Sequence, residues 1–143
     1  MVDQLLIEKK ISIIQEHLSF LREREKEKPI TASKIKEDFS LRLQVAYAIQ
    51  ILIQACIDIC THLANDEKWE LPENAGQAFK IAHRHHVLPL AISEELQKAV
   101  KLRNIIVHQY DELDETILVD VLHHKLGVFD DFLLALKKWM KRN

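Results

Sequence analysis

The segment from residue 39 to about residue 64 constrains the fold most, because its apolar side chains cover well over half the circumference of a helix. A helix of this kind is buried on several sides, so other elements of the chain must cover it. The sequence therefore predicts a central helix. Its apolar positions are Leu41, Val45, Ala46, Ile49, Leu52, Ile53, Cys56, Ile57 and Cys60.

Four further segments carry helical periodicity. The first, over about 3–26, has a single apolar stripe with steps of four and three residues. A shorter helix is predicted over about 74–85, and another that Ser93 caps and that runs into residues 103–110. A long last helix is predicted to start at Asp114, which caps it, with Gly127 marking either a kink or a close approach of two helices. Between the first two helices, residues 30–38 break the pattern.

The composition agrees with long helices and few turns. Only two glycines and three prolines occur in 143 residues, whereas a sheet protein of many short strands needs far more turn residues. Hydrophobic residues make up 48% and charged residues 29%, which is typical of a globular protein with a charged exterior. We expect one all-α domain over 1–143, an antiparallel bundle of about five helices.

The bulk properties also restrict function and location. A net charge of −2 argues against a broad electrostatic grip on nucleic acid, so any RNA site must be local. Cys56 and Cys60 lie four apart in the apolar segment and are predicted to be buried free thiols, as in a reducing cytosol. The N-terminus has charges where a signal peptide would be apolar, and the apolar run 45–60 contains Gln50, Gln54 and Asp58. We therefore expect a cytoplasmic protein without membrane contact.

Histidines cluster in two places, at His83, His85 and His86 and at the pair His123 and His124. A metal site is one interpretation, but adjacent residues at a helix end point in different directions. The helix dipole favours cations at such an end without any ligand. We therefore predict neither a metal site nor a cofactor.

The residues that carry chemistry lie in the stretch 103–110, RNIIVHQY, within an otherwise apolar helix. At 100° per residue, Arg103 and Tyr110 fall within about 20° of each other, whereas His108 lies about 140° from Arg103. For Arg103 and His108 to meet one substrate, the helix must end near Val107, or a second copy must supply the missing group, or both. Asn104 precedes His108 by four residues, which lets its amide orient the imidazole.

Arginine and histidine together suffice for metal-independent RNA cleavage. The guanidinium matches a phosphate and stabilises charge in the transition state, and the imidazole transfers protons near neutral pH. The attacking group would be the adjacent 2'-hydroxyl, which DNA lacks. By spacing alone, an arginine and a histidine five apart are a weak signal.

Asp58 lies four residues after Gln54 on one face of the central helix. Its carboxylate either belongs to a surface stripe or orients a cation from a neighbouring helix, for which Arg103 is the natural candidate.

The stretch RNIIVHQYD resembles the signature of the HEPN superfamily, in particular of HepT-like toxins that are paired with a minimal nucleotidyltransferase antitoxin. In that signature an arginine, four residues, a histidine, one residue and a tyrosine follow one another. Arg103, His108 and Tyr110 match it, and Asn104 is the polar residue usual after the arginine. The likeness covers nearly the whole chain, including AIQILIQACIDICTHLA and VLPLAISEELQKAVKLRN.

The resemblance implies a HEPN-like homodimer in which two motif helices meet near the two-fold axis and form a composite ribonuclease cleft. It also implies a type VII-like toxin–antitoxin pair in which the partner nucleotidyltransferase adenylylates Tyr110. The added group would place bulk and negative charge beside His108 and repel RNA. One departure is visible, since an acidic residue is expected where Gln54 stands, so that Asp58 alone supplies the negative partner.

Two other functions compete with the toxin hypothesis. A non-catalytic helical adaptor would bind a nucleotidyltransferase, and help present nucleotide or RNA, without cleaving RNA. A purely structural helical dimer would tolerate the loss of Arg103.

Overall fold

The computed structural model describes residues 3–143, so Met1 and Val2 of the predicted domain lie outside the described part. Within this range the chain is all-α and contains no strand. A 3₁₀ turn, Tyr110–Glu112, and a π segment, Val121–Lys125, join some of the helices. The α-helices are α1 (Gln4–Glu27), α2 (Ala32–Glu37), α3 (Phe39–Asp66), α4 (Ala75–Arg84), α5 (Leu90–His108), α6 (Glu115–Asp120) and α7 (Gly127–Arg142).

Helix α3 is the central helix, as its apolar pattern predicts. It packs along α1 and also contacts α4 and α5, and fourteen of its residues are buried. By length and composition α3 is apolar enough to cross a membrane, but 61% of its most apolar window is buried inside the bundle. Its hydrophobicity is thus that of a core helix.

The predicted cap of α5 is wrong. The helix begins at Leu90, directly after Pro89, whose fixed φ suits a helix start. Ser93 is therefore inside the first turn and is only 1% exposed. Its hydroxyl donates a hydrogen bond of 2.9 Å to the Phe79 carbonyl of α4 and accepts one of 3.1 Å from Gln97. Ser93 joins two helices rather than starting one.

The region 30–38, where the pattern breaks, contains the short helix α2. Thr31 caps it by accepting a hydrogen bond from the Lys34 backbone, and Ile35 is fully buried. A helix of six residues offers a single apolar position to the core, which is too few for a periodic pattern.

The last predicted helix is divided into three parts. Asp114 caps α6 as predicted, but the π segment lies between α6 and α7. Because a π turn holds more residues than an α turn, it shifts the apolar face. Leu118 of α6 is buried, whereas Ile117 is 41% exposed. A Cβ at Gly127 would meet nothing within 4 Å, which excludes a close helix approach there.

Both cysteines, together with His83 and His85, make contacts within the bundle, whereas His86, His123 and His124 are exposed. Cys56 and Cys60 are buried free thiols, as predicted, and burial raises the pKa of both. His85 stacks on Trp69 with ring centroids 4.2 Å apart and contacts Glu70, and Trp69 meets Trp139 edge-on. Among residues 3–143, no three His, Cys, Asp or Glu side chains form a group suited to a metal ion.

We expect Ser93→Ala to lower the free energy of unfolding by about 1 kcal/mol, because the buried link between α4 and α5 is lost. Urea unfolding followed by circular dichroism measures the effect. The matched control is Ser12→Ala at an exposed position of α1, which should change stability by less than about 0.5 kcal/mol. Equal effects of the two substitutions would contradict the structural role of Ser93.

Candidate functional site

The site is organised by the C-terminal end of α5. His108 is the last helical residue, and the Gln109 backbone N–H still donates to the Ile105 carbonyl at 2.8 Å. At Gln109 the backbone leaves the helical region, with φ −137° and ψ 42°. The helix thus ends one residue later than the Val107 end that would let His108 turn towards Arg103, and His108 itself is still helical.

Arg103 and His108 nevertheless point in different directions. Both belong to α5, so they are separated by about 140° around the helix and about 7.5 Å along its axis. Arg103 is half-buried and its Nε is buried without a hydrogen-bond partner among the described residues. His108 is exposed at the helix end. The helix end alone does not bring the two side chains together.

Tyr110 does not share a helical face with Arg103, which corrects the expectation from spacing. The helix stops two residues earlier, and Tyr110 begins the 3₁₀ turn. Its ring packs against the hydrophobic core, and its hydroxyl is buried with no hydrogen-bond partner among residues 3–143.

Arg42 of α3 holds the Tyr110 turn, a role that the sequence did not indicate. Its guanidinium carbon lies 5.2 Å from the centroid of the Tyr110 ring. One terminal nitrogen forms an ion pair with Glu115, and the other donates a hydrogen bond of 2.7 Å to the Leu113 carbonyl. The only signal in the sequence is a cation between two leucines at the start of the most apolar helix.

The predicted hydrogen bond between Asn104 and His108 is absent from the described part of the chain. The two residues lie on one face of α5 at the correct spacing, but both side chains are exposed. At an exposed position, water competes for the amide and the imidazole, so the spacing alone does not enforce the contact.

Asp58 is paired with Lys10 of α1 and not with Arg103. The Lys10 Nζ lies 3.0 Å from one carboxylate oxygen, and Gln54 donates a hydrogen bond of 2.8 Å to the other. A cation from a neighbouring helix does pair with Asp58, as expected, but it is Lys10 of α1 and not Arg103 of α5. Helix α3 packs along α1 at this face, so Lys10 is the cation within reach.

The turn after α5 is acidic. Asp111, Glu112, Asp114 and Glu115 fall within five consecutive residues. Hydrogen bonds from the backbone and hydroxyl of Thr116 lower the pKa of Asp114. The pKa of Glu115 is lowered first by its own backbone N–H and then by Arg42. Both carboxyl groups are therefore ionised at neutral pH.

Arg103 and His108 do not line the cavity that lies behind α5. This cavity, about 230 Å³, is walled by Leu102 and Ile105 of α5 and by residues of α6, α7 and the π segment. In one chain the motif thus presents an arginine with an unpartnered nitrogen on one side of α5 and an imidazole on another. Arginine suits a phosphate and histidine suits proton transfer, but in one chain the two side chains do not converge on one point.

Comparisons with known proteins identify the family. The family described as "Ribonuclease HepT-like" matches residues 7–136. The mRNA nuclease HepT of Shewanella oneidensis is 34% identical over 105 residues, which cover 73% of this chain and 79% of that protein. The tRNA nuclease HepT of Aphanizomenon flos-aquae is 25% identical over 113 residues, covering 79% and 75% respectively.

A solved structure extends the similarity to the fold. The tri-AMPylated HEPN toxin of Shewanella oneidensis, in complex with the MNT antitoxin, superposes with a TM-score of 0.83 at 30% identity. The alignment covers 96% of this chain and 99% of that toxin. On the sequence match over residues 7–136 and this superposition, the chain belongs to the ribonuclease HepT-like family of HEPN toxins.

Proposed function

We propose that the protein is the toxin of a type VII-like toxin–antitoxin pair, a metal-independent RNA endonuclease that acts through one HEPN-like domain over 1–143. Its site is composite and lies at the interface of a homodimer. A cognate minimal nucleotidyltransferase neutralises it by adenylylating Tyr110. We place it in the cytoplasm, where the buried free thiols Cys56 and Cys60 would stay reduced.

The geometry of α5 is the main support for a composite site. Because the helix stays regular through His108, one chain presents Arg103 and His108 about 140° apart. A two-fold axis beside the two motif helices lets Arg103 of one subunit face the His108 of the other. The Arg103 side chain supports this arrangement, because it is only half-buried and forms no ion pair or hydrogen bond within the described part of the chain, so that its guanidinium is free to bind a phosphate.

The reaction needs two proton transfers and the stabilisation of one developing charge. The 2'-hydroxyl of a ribose attacks the adjacent phosphorus and loses its proton to a base. The bond from phosphorus to the 5'-oxygen breaks, and that oxygen gains a proton. The products are a 2',3'-cyclic phosphate and a 5'-hydroxyl end. His108 is the general acid or base, and Arg103 stabilises the charge on the phosphoryl oxygens.

Asn104 and Asp58 have supporting roles in this proposal. Asn104 lies on the exposed face of α5 next to His108, where it can orient the imidazole or the RNA once a substrate excludes water. Asp58 acts through Lys10, with which it joins α3 to α1, and thereby contributes to the packing that positions α5.

Neutralisation by the partner rests on Tyr110, two residues from His108. In the transfer, the Tyr110 hydroxyl oxygen attacks the α-phosphorus of ATP, pyrophosphate leaves, and the phenolic proton passes to a base. The resulting phosphodiester adds bulk and a negative charge beside the site, which repels RNA. The AMPylated state of the Shewanella toxin supports this chemistry for the family.

We expect the purified protein to cleave RNA in the presence of EDTA. Arg103→Ala and His108→Ala should each reduce cleavage at least about 100-fold, because charge stabilisation or proton transfer is lost. Release of labelled fragments measures the rate, and Lys101→Ala on the same helix is the control. If the unmodified wild type binds the nucleotidyltransferase but does not cleave RNA, the protein is the non-catalytic adaptor instead.

Mixing two inactive variants tests the composite site. When Arg103→Ala and His108→Ala subunits are unfolded together and refolded, mixed dimers contain one cleft with both intact groups. Activity should return to about a quarter of the wild-type value, since half of the dimers are mixed and each has one good cleft of two. Activity that stays at the level of the separate variants would show that Arg103 and His108 of one chain act together.

We expect Tyr110→Phe to keep RNA cleavage and to escape neutralisation, because the ring remains but the acceptor oxygen is lost. Growth after induction, with and without the partner nucleotidyltransferase, measures the escape. Intact-mass analysis should show added AMP on the wild type and none on Tyr110→Phe. The control is Tyr47→Phe, which removes the other tyrosine hydroxyl of the chain and should behave like the wild type.

A further inference from the structure

Arg42 connects helix α3 to the turn that carries Tyr110. Its two terminal nitrogens contact the Glu115 carboxylate and the Leu113 carbonyl, which lie on the C-terminal side of Tyr110. The same guanidinium lies 5.2 Å from the Tyr110 ring centroid, a distance typical of a cation–π contact. The Arg42 and Glu115 side chains are only 14% and 24% exposed, so water weakens their ion pair less than at the surface. One side chain thus fixes both the ring and the turn.

The Tyr110 hydroxyl is enclosed in this arrangement. Its oxygen is buried and has no hydrogen-bond partner in the described part of the chain. A nucleotidyl transfer requires this oxygen to reach the α-phosphorus of a nucleotide that a second protein holds. We call this conformation, with the Tyr110 hydroxyl buried, the closed turn. It cannot be the conformation that reacts, because the hydroxyl must first become exposed in an open turn.

Arg42 also offsets the repulsion among the acidic residues of the turn. Four carboxylates at 111, 112, 114 and 115 repel one another, and Arg42 is bound to one of them. Lys36 of α2 also attracts Asp114 and Glu115, but it makes no hydrogen bond to either. Without Arg42, the like charges and the unsatisfied hydroxyl both favour an open turn.

We propose that Arg42 is a positioning residue that keeps the Tyr110 hydroxyl enclosed, so that the turn must release Arg42 before Tyr110 can be adenylylated. The relevance to neutralisation rests on the proposed function, whereas the enclosure itself is a property of the isolated protein. The rate of modification is then limited by the population of the open turn. Arg42 sets how readily the partner silences the toxin.

The chain contains an internal standard for this proposal. Its only other tyrosine, Tyr47, lies on the same helix as Arg42 and is 58% exposed. A reagent that acylates phenol oxygens, such as N-acetylimidazole, should therefore label Tyr47 at the rate of a free tyrosine. In the wild type Tyr110 should react at least about tenfold more slowly than Tyr47, because labelling requires opening.

The first test compares labelling in the full-length wild type, Arg42→Gln and Arg42→Lys. Site-resolved mass spectrometry follows Tyr47 and Tyr110 in each protein. Arg42→Gln should raise the Tyr110 rate about tenfold, since an ion pair, a charged hydrogen bond and a cation–π contact are lost. The Tyr110 labelling rate of Arg42→Lys should lie between those of the wild type and Arg42→Gln, because lysine keeps the positive charge but lacks the two terminal nitrogens of the guanidinium. Labelling of Tyr110 as fast as Tyr47 in the wild type would overturn the proposal, as would an unchanged Tyr110 rate in Arg42→Gln.

The second test measures AMP incorporation from ATP by the purified nucleotidyltransferase partner. Arg42→Gln and Glu115→Gln should both be modified faster than the wild type, with the larger effect for Arg42→Gln because it also frees the ring. The matched control is Arg22→Gln, which removes an exposed ion pair between α1 and Asp130 and should leave both rates unchanged. Slower modification of Arg42→Gln, with Tyr47 labelling and circular dichroism unchanged, would show that Arg42 presents the tyrosine rather than encloses it.

The two tests separate the two proposals. If no variant gains AMP at Tyr110 while Arg42→Gln still raises acetylation of Tyr110, the enclosure stands and adenylylation of Tyr110 fails. If AMP is added equally fast to the wild type and to both turn variants, adenylylation stands and the control by Arg42 fails.

Discussion

The pitch of the α-helix is the constraint on which the site of this protein depends. Two side chains five residues apart on a regular helix cannot face one substrate, and α5 stays regular through His108. The fold therefore separates Arg103, which we propose binds phosphate, from His108, which we propose transfers protons. If, as we propose, two copies bring these residues together, RNA cleavage becomes a property of the dimer, and a newly made single chain is inactive until it meets another.

Most of the fold could be predicted from the sequence because burial on several sides leaves a strong periodic pattern. This held for α3 and for the stripe of α1, where each turn contributes an apolar residue. It did not hold for α2, whose single buried side chain, Ile35, makes no pattern. The start of α5 was predicted wrongly because Ser93 has the chemistry of a cap, whereas its hydroxyl donates a hydrogen bond across to α4.

The candidate site was predictable in its residue types but not in its partnerships. The sequence shows an arginine, a histidine and a tyrosine in an apolar helix. It also shows that Asp58 needs a cation as a partner. Which cation satisfies that need depends on which helices touch. Helix α1 supplied Lys10 to Asp58, and α3 supplied Arg42 to the Tyr110 turn. In both pairings the partners are far apart in the sequence, so helical periodicity cannot predict them.

In a regular α-helix the number of residues fixes the direction in which each side chain points. The π segment Val121–Lys125 is an exception to this rule within the chain. A π turn contains about one residue more than an α turn, so this part of the chain carries a spare residue. We expect the loss of one residue here to restore an α turn and to leave the directions of Leu118 and Phe129 unchanged. The same loss within α3 would rotate everything after it by about 100°. We therefore expect this turn, which lies next to the cavity behind α5, to tolerate the loss of one residue better than α3 does.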